Sequence, residues 1–88
     1  MKTETRRISV TADDIAAGVP HDCSRCPVAR AIYRETNRYT YVVPQEGYIY
    51  VNGQAASSVP SMLSWAESFD EGKPVQPLAF DLTYWEHP

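Results

Sequence analysis

Cys23 and Cys26 enclose Ser24-Arg25 as a C-x-x-C, with His21 and Asp22 just ahead of the first thiol and Pro27 just behind the second. Thiols at this spacing ligate a metal, cycle between dithiol and disulfide, or pack at the start of a helix. Zinc normally takes four ligands, so two sulfurs need two partners, and the chain offers His21, His87 and Asp22 for that role. Redox use needs a stabilised thiolate. A helix N-terminus and Arg25 would favour one and Asp22 would oppose it. In the packing alternative, Cys26 is a small apolar residue and Cys23 is incidental.

Other chemistries find less material. Two histidines serve all the serines, and neither sits in a recognisable nucleophile context, so a catalytic triad is not expected. The paired acids Asp13-Asp14 and Asp70-Glu71 fall at a helix start and a helix end. The first pair suits the helix dipole and the second is expected to face solvent. The four glycines read as turns and caps, not as a phosphate-cradling loop. The chain is therefore expected not to be an enzyme.

Two surfaces remain. Arg30 and Arg34 are neighbours on one helix face, where like charges repel by about 0.2–0.5 kcal/mol unless a nearby acid or an external anion offsets them. Tyr39 and Tyr41 alternate along one strand and Tyr48 and Tyr50 along the next. If Ile49 and Val51 point inward, Tyr48 and Tyr50 point out. Exposed tyrosines give contact area and a hydrogen bond at small entropic cost, which suits a protein-binding surface; the alternative is cross-strand packing with no partner.

Length and composition frame these surfaces. The 88 residues, 43% of them apolar, have room for one domain, 1–88, with a modest core. Net charge is −3. The basic side chains gather before residue 39 and the acids outnumber Lys73 after it, so an acidic patch on a partner fits better than nucleic acid, which asks for a dominating positive field. No apolar run approaches the roughly 20 residues that span a bilayer. The start of the chain lacks a secretory apolar stretch, and two cysteines three apart make no long-range disulfide framework. The expected location is the cytoplasm, with reduced thiols.

The elements follow from periodicity and punctuation. Residues 7–11 alternate as a short strand with Ile8 and Val10 inward. Thr11 with Asp14 forms a capping box for a helix over 12–17, anchored by Ile15 and stopped at Gly18. Pro27 opens a second helix reaching about Thr36, with Val28, Ala29, Ile32 and Tyr33 as its buried stripe and Arg30, Arg34 and Glu35 outside. Residues 39–43 and 48–51 form a hairpin around a Pro-Gly turn, and Asn52-Gly53 returns a third short strand over 54–57. Val59, Met62, Leu63, Ala66 and Phe69 keep helical spacing after Pro60, with Trp65 on the flank and Gly72 at the end. Residues 78–85 close the chain as a strand with Leu78, Phe80, Leu82 and Tyr84 on one side. The predicted fold is α+β, a two-layer sandwich of a mainly antiparallel sheet of three to five strands with helices on one face, in the order β-α-α-β-β-(β)-α-β.

Ile8-Ser9-Val10-Thr11-Ala12-Asp13-Asp14-Ile15, then Gly18-Val19-Pro20, then Asp22-Cys23 and Cys26-Pro27-Val28-Ala29-Arg30-Ala31, resemble small proteins of actinobacteria and their phages. The resemblance covers the first third of the chain and brings no activity or site residues with it. It implies a phage or prophage accessory protein that binds or inhibits a host protein, such as a host-defence component. The expectation carried forward is a non-enzymatic module without cofactor that engages a protein, including a second copy of itself, through Tyr39, Tyr41, Tyr48 and Tyr50 or through Arg30 and Arg34. The alternative is a zinc-binding or thiol-redox module built on Cys23, Cys26, His21 and His87.

Overall fold

Thr11 ends the first strand and caps the first helix, and the chain changes direction there. The computed structural model describes residues 2–57 and 60–86. It contains β1 Lys2–Val10, α1 Ala12–Ala17, α2 Pro27–Thr36, β2 Thr40–Val43, a 3₁₀ turn Pro44–Glu46, β3 Tyr48–Val51, β4 Gln54–Ala55, α3 Pro60–Asp70 and β5 Leu78–Glu86. The fold is α+β with antiparallel sheets, in the predicted order. The five strands divide into two sheets, β1-β5 and β2-β3-β4. Among the described residues one bridge joins them, in which Ser57 and Thr83 exchange backbone hydrogen bonds of 2.8 and 3.0 Å.

Strand β1 begins five residues earlier than its apolar pattern predicts. It pairs with β5 along its whole length, from Lys2 opposite Glu86 to Val10 opposite Leu78. Polar cross-strand pairs extend the ladder where apolar residues run out. The Thr5 and Thr83 hydroxyls lie 2.9 Å apart, Arg7 donates to Asp81 at 3.2 Å, and the Tyr84 hydroxyl donates to Glu4 at 3.0 Å. Arg6 then reaches from Glu4 to the Glu35 carbonyl, satisfying an acceptor at the open end of α2.

Helix α2 holds the two sheets together, since it packs on β1 from one and on β2 from the other. Its buried residues are Pro27, Val28, Ala29, Ala31 and Ile32. The predicted stripe is thus shifted. Positions 28, 31 and 32 fall on one face at 100° per residue, and Tyr33 turns away from it to stand 53% exposed. Ile8, Val10, Val42, Ile49, Val51, Met62, Phe80 and Leu82 close the same core. Asn52 and Gly53 both take positive φ, 53° and 81°, as a tight hairpin turn requires. Val59, predicted for the stripe of the third helix, lies outside the described residues.

Gly18 follows α1 with an ordinary φ of −68°, so backbone freedom is not what it contributes. A Cβ there would stand 2.6 Å from two carbons of the Pro27 ring. The missing side chain lets the end of α1 close on the start of α2. Gly18→Ala should therefore destabilise the protein by about 1–3 kcal/mol through overpacking, whereas unfolded-state entropy alone would stabilise it by about 0.4–1 kcal/mol. Urea unfolding decides the sign, and a gain in stability would contradict the close-approach account.

Candidate functional site

The C-x-x-C lies in a loop organised by Asp22. One oxygen of that carboxylate accepts from the Ser24 amide, the Ser24 hydroxyl and the Arg25 amide at 3.0–3.1 Å. These bonds, led by the Ser24 amide, hold the Asp22 carboxyl below its usual range. The Asp22 carbonyl also accepts from the Cys26 amide, and the Cys23 carbonyl accepts from the Val42 amide at 2.8 Å, fastening the loop to β2. Cys26 is the N-cap of α2, where its buried sulfur accepts from the Ala29 amide at 3.4 Å. Burial pushes its thiol up to about 11, the reverse of what a nucleophilic thiolate needs. Cys23 is half-buried.

The zinc alternative names Cys23, Cys26, His21 and His87. Among the described residues no three His, Cys, Asp or Glu side chains are grouped to hold an ion. His87 lies outside the described residues. His21 has a left-handed backbone, φ 61°, and its amide donates to Asp70 at 3.0 Å. That bond corrects the expectation for Asp70, which is buried instead of facing solvent. Among the described residues no helix is long and apolar enough to cross a membrane.

Arg30 and Arg34 find the acid that their spacing calls for, and it is Asp14. The helix expected to be anchored by Ile15 buries Asp14 instead, at 2% exposure, with Ile15 only partly covered. Arg34 donates to Asp14 at 2.6 Å and to the Ser9 carbonyl at 2.7 Å. The other Asp14 oxygen accepts from the Thr11 amide and hydroxyl at 2.9 and 3.1 Å. Burial is the largest influence on this carboxyl and opposes its charge, but the Arg34 and Thr11 hydrogen bonds together outweigh it and hold the group below the ordinary value. Arg30 stands farther off, its Nε 3.9 Å from Asp14. Between α1, the cysteine loop and α2 lies a groove of about 450 Å³ whose lining includes Asp14, Val19, Arg25, Arg30, Tyr33 and Arg34. Sequence reading picked out the two arginines but not Asp14 or Tyr33 as their company. The signal was the Thr11-x-x-Asp14 box followed by arginines one turn apart.

The four hairpin tyrosines share the outer face of β2 and β3. Val42, Ile49 and Val51 point into the core, and Tyr41 pairs in register with Tyr50. The rings pair along each strand, Tyr39 with Tyr41 and Tyr48 with Tyr50, with centroids 5.9 Å apart in both cases. Tyr39, Tyr41 and Tyr48 remain 60%, 46% and 49% exposed, while Tyr50 is half-buried.

Compared with protein-family models, curated proteins and solved structures, the chain gives no significant match.

The capping role of Cys26 has a measurable consequence. In native protein at pH 8, iodoacetamide should modify Cys23 well before Cys26, and both should react once urea opens the core. Mass-spectrometric thiol mapping reads the order. Rapid alkylation of Cys26 in the folded protein would contradict the buried-cap assignment.

Proposed function

We propose that this chain is a small non-enzymatic binding module of the cytoplasm that docks a protein partner on the tyrosine face of its β2–β3 hairpin. The observation that carries the reading is the exposure of Tyr39, Tyr41 and Tyr48 on a platform whose opposite face is locked into the core. Aromatic residues of this type dominate interface energetics because they bury large areas with few rotatable bonds. Ring pairing along each strand limits their motion further, which reduces the ordering cost on association. Of the two nominated arginines, Arg34 is engaged with Asp14 and the Ser9 carbonyl, so the tyrosine face is the better partner surface. The resemblance of the first third of the chain to actinobacterial phage proteins directs the search toward a host-encoded partner, with inhibition of that protein as the working role.

The test is affinity capture from host lysate with wild type and with the Tyr39→Ala/Tyr41→Ala/Tyr48→Ala triple variant, alongside sedimentation of the purified chain to register self-association. Each buried hot-spot tyrosine is worth about 1–2 kcal/mol or more, so the triple variant should lose its partner while Arg7→Gln retains it. Circular dichroism confirms that the variant folds. Equal capture by wild type and triple variant, with unchanged sedimentation, would overturn the reading.

A further inference from the structure

The groove between α1 and α2 holds two guanidinium groups that the fold does not use up. Arg25 reaches Asp22 only at 4.0 Å and Arg30 reaches Asp14 only at 3.9 Å, both beyond hydrogen-bond distance. Of the acids beside them, Asp14 is matched on both oxygens and Asp22 on one, its Oδ2 facing the Arg25 Nε at 4.0 Å. Asp14 is held by Arg34 and by both Thr11 donors, and the Oδ1 of Asp22 is taken by Ser24 and the Arg25 amide. Positive charge with spare donors therefore faces a recess of about 450 Å³, within the roughly 300–1,000 Å³ of small-ligand sites. Exposed Tyr33 and Val19 supply apolar walls beside it.

Guanidinium groups select planar or tetrahedral oxyanions through paired N–H donors. A carboxylate balances one such group. A phosphate monoester, with about −1.5 to −2 charge and three acceptor oxygens, balances two. A long polyanion fits poorly, because the recess is local and the chain carries a net charge of −3. We infer that the α1–α2 groove binds a phosphate monoester, with Arg25 and Arg30 gripping the phosphate and Tyr33 and Val19 carrying the organic group attached to it. The site shares no residue with the tyrosine face, so the two readings stand or fall separately.

Amide chemical-shift titration of the full chain tests this with phenyl phosphate, with benzoate as a monoanionic ring control, and with a tripeptide containing phosphotyrosine. Phenyl phosphate should bind saturably and shift the amides around Val19, Arg25, Arg30 and Tyr33. Arg25→Gln and Arg30→Gln should each weaken it about tenfold, while Arg7→Gln, on the outer face of β1, leaves it unchanged. Benzoate should bind at least about fivefold more weakly. Tighter binding of the peptide than of phenyl phosphate supports the site with a phosphorylated protein as the source. Equal or weaker binding of the peptide supports it with a free ester. Lack of saturation up to about 10 mM phenyl phosphate, equal affinity for benzoate, or equal weakening by Arg7→Gln would overturn it. Arg25 and Arg30 make no hydrogen bond through their side chains among the described residues, and preserved amide dispersion in the variants shows that they fold.

Discussion

One buried carboxylate joins the end of the first strand to the first two helices. Asp14 closes the capping box of α1 through Thr11, and through Arg34 it reaches α2 and the Ser9 carbonyl at the end of β1. Burying a charge is costly unless its partners replace water. Here Asp14 accepts from Thr11 on one oxygen and from Arg34 on the other. The stabilisation is present above the unfolded carboxyl value near pH 4 and is lost as pH falls through the depressed value of the folded state. Because α2 packs on both sheets, the placement of α1 against α2 bears on the whole molecule.

The same joint divides the basic helix face into two parts. Arg34 is consumed in holding the fold, while Arg30 and Arg25, which both line the groove, make no side-chain hydrogen bond among the described residues. Close approach of Gly18 to Pro27 and the Asp22-centred loop set the walls of that recess. Both cysteines take part in this architecture, Cys26 through a sulfur that caps α2 and Cys23 through its backbone carbonyl, which ties the loop to β2. The hairpin, by contrast, keeps its tyrosines outside simply because the period of a strand sends alternate residues to opposite faces.

Much of the fold was legible because local signals agreed. The Thr11 box, Pro27 at the first turn, Asn52-Gly53 and the alternation of Leu78, Phe80, Leu82 and Tyr84 each specify their element within a few residues. What the sequence concealed depends on contacts distant in the chain. Lys2 to Arg6 look like polar coil until Thr83 and Tyr84, some eighty positions on, supply hydrogen-bonding partners. Asp14 reads as a helix-start acid until Arg34 is placed beside it, and Asp70 as a solvent-facing acid until the loop at His21 folds against it. In α2 the buried face takes Val28, Ala29, Ala31 and Ile32, so the expected stripe of 28, 29, 32 and 33 misses Ala31 and wrongly includes Tyr33. The tyrosine face was visible in the sequence, but the groove was not. Its lining residues all lie between 14 and 34, but only the packing of α1 and the cysteine loop on α2 brings them around one recess.

A double-mutant cycle on Asp14→Ala and Arg34→Ala, measured by urea unfolding at pH 7, tests the central joint most directly. Arg34 is partly exposed, so the predicted coupling is about 1–2 kcal/mol, above that of an exposed pair and below that of a fully buried one. It should fade as the solution is acidified through the depressed carboxyl value. Additivity of the two substitutions within about 0.5 kcal/mol at pH 7 would contradict the account.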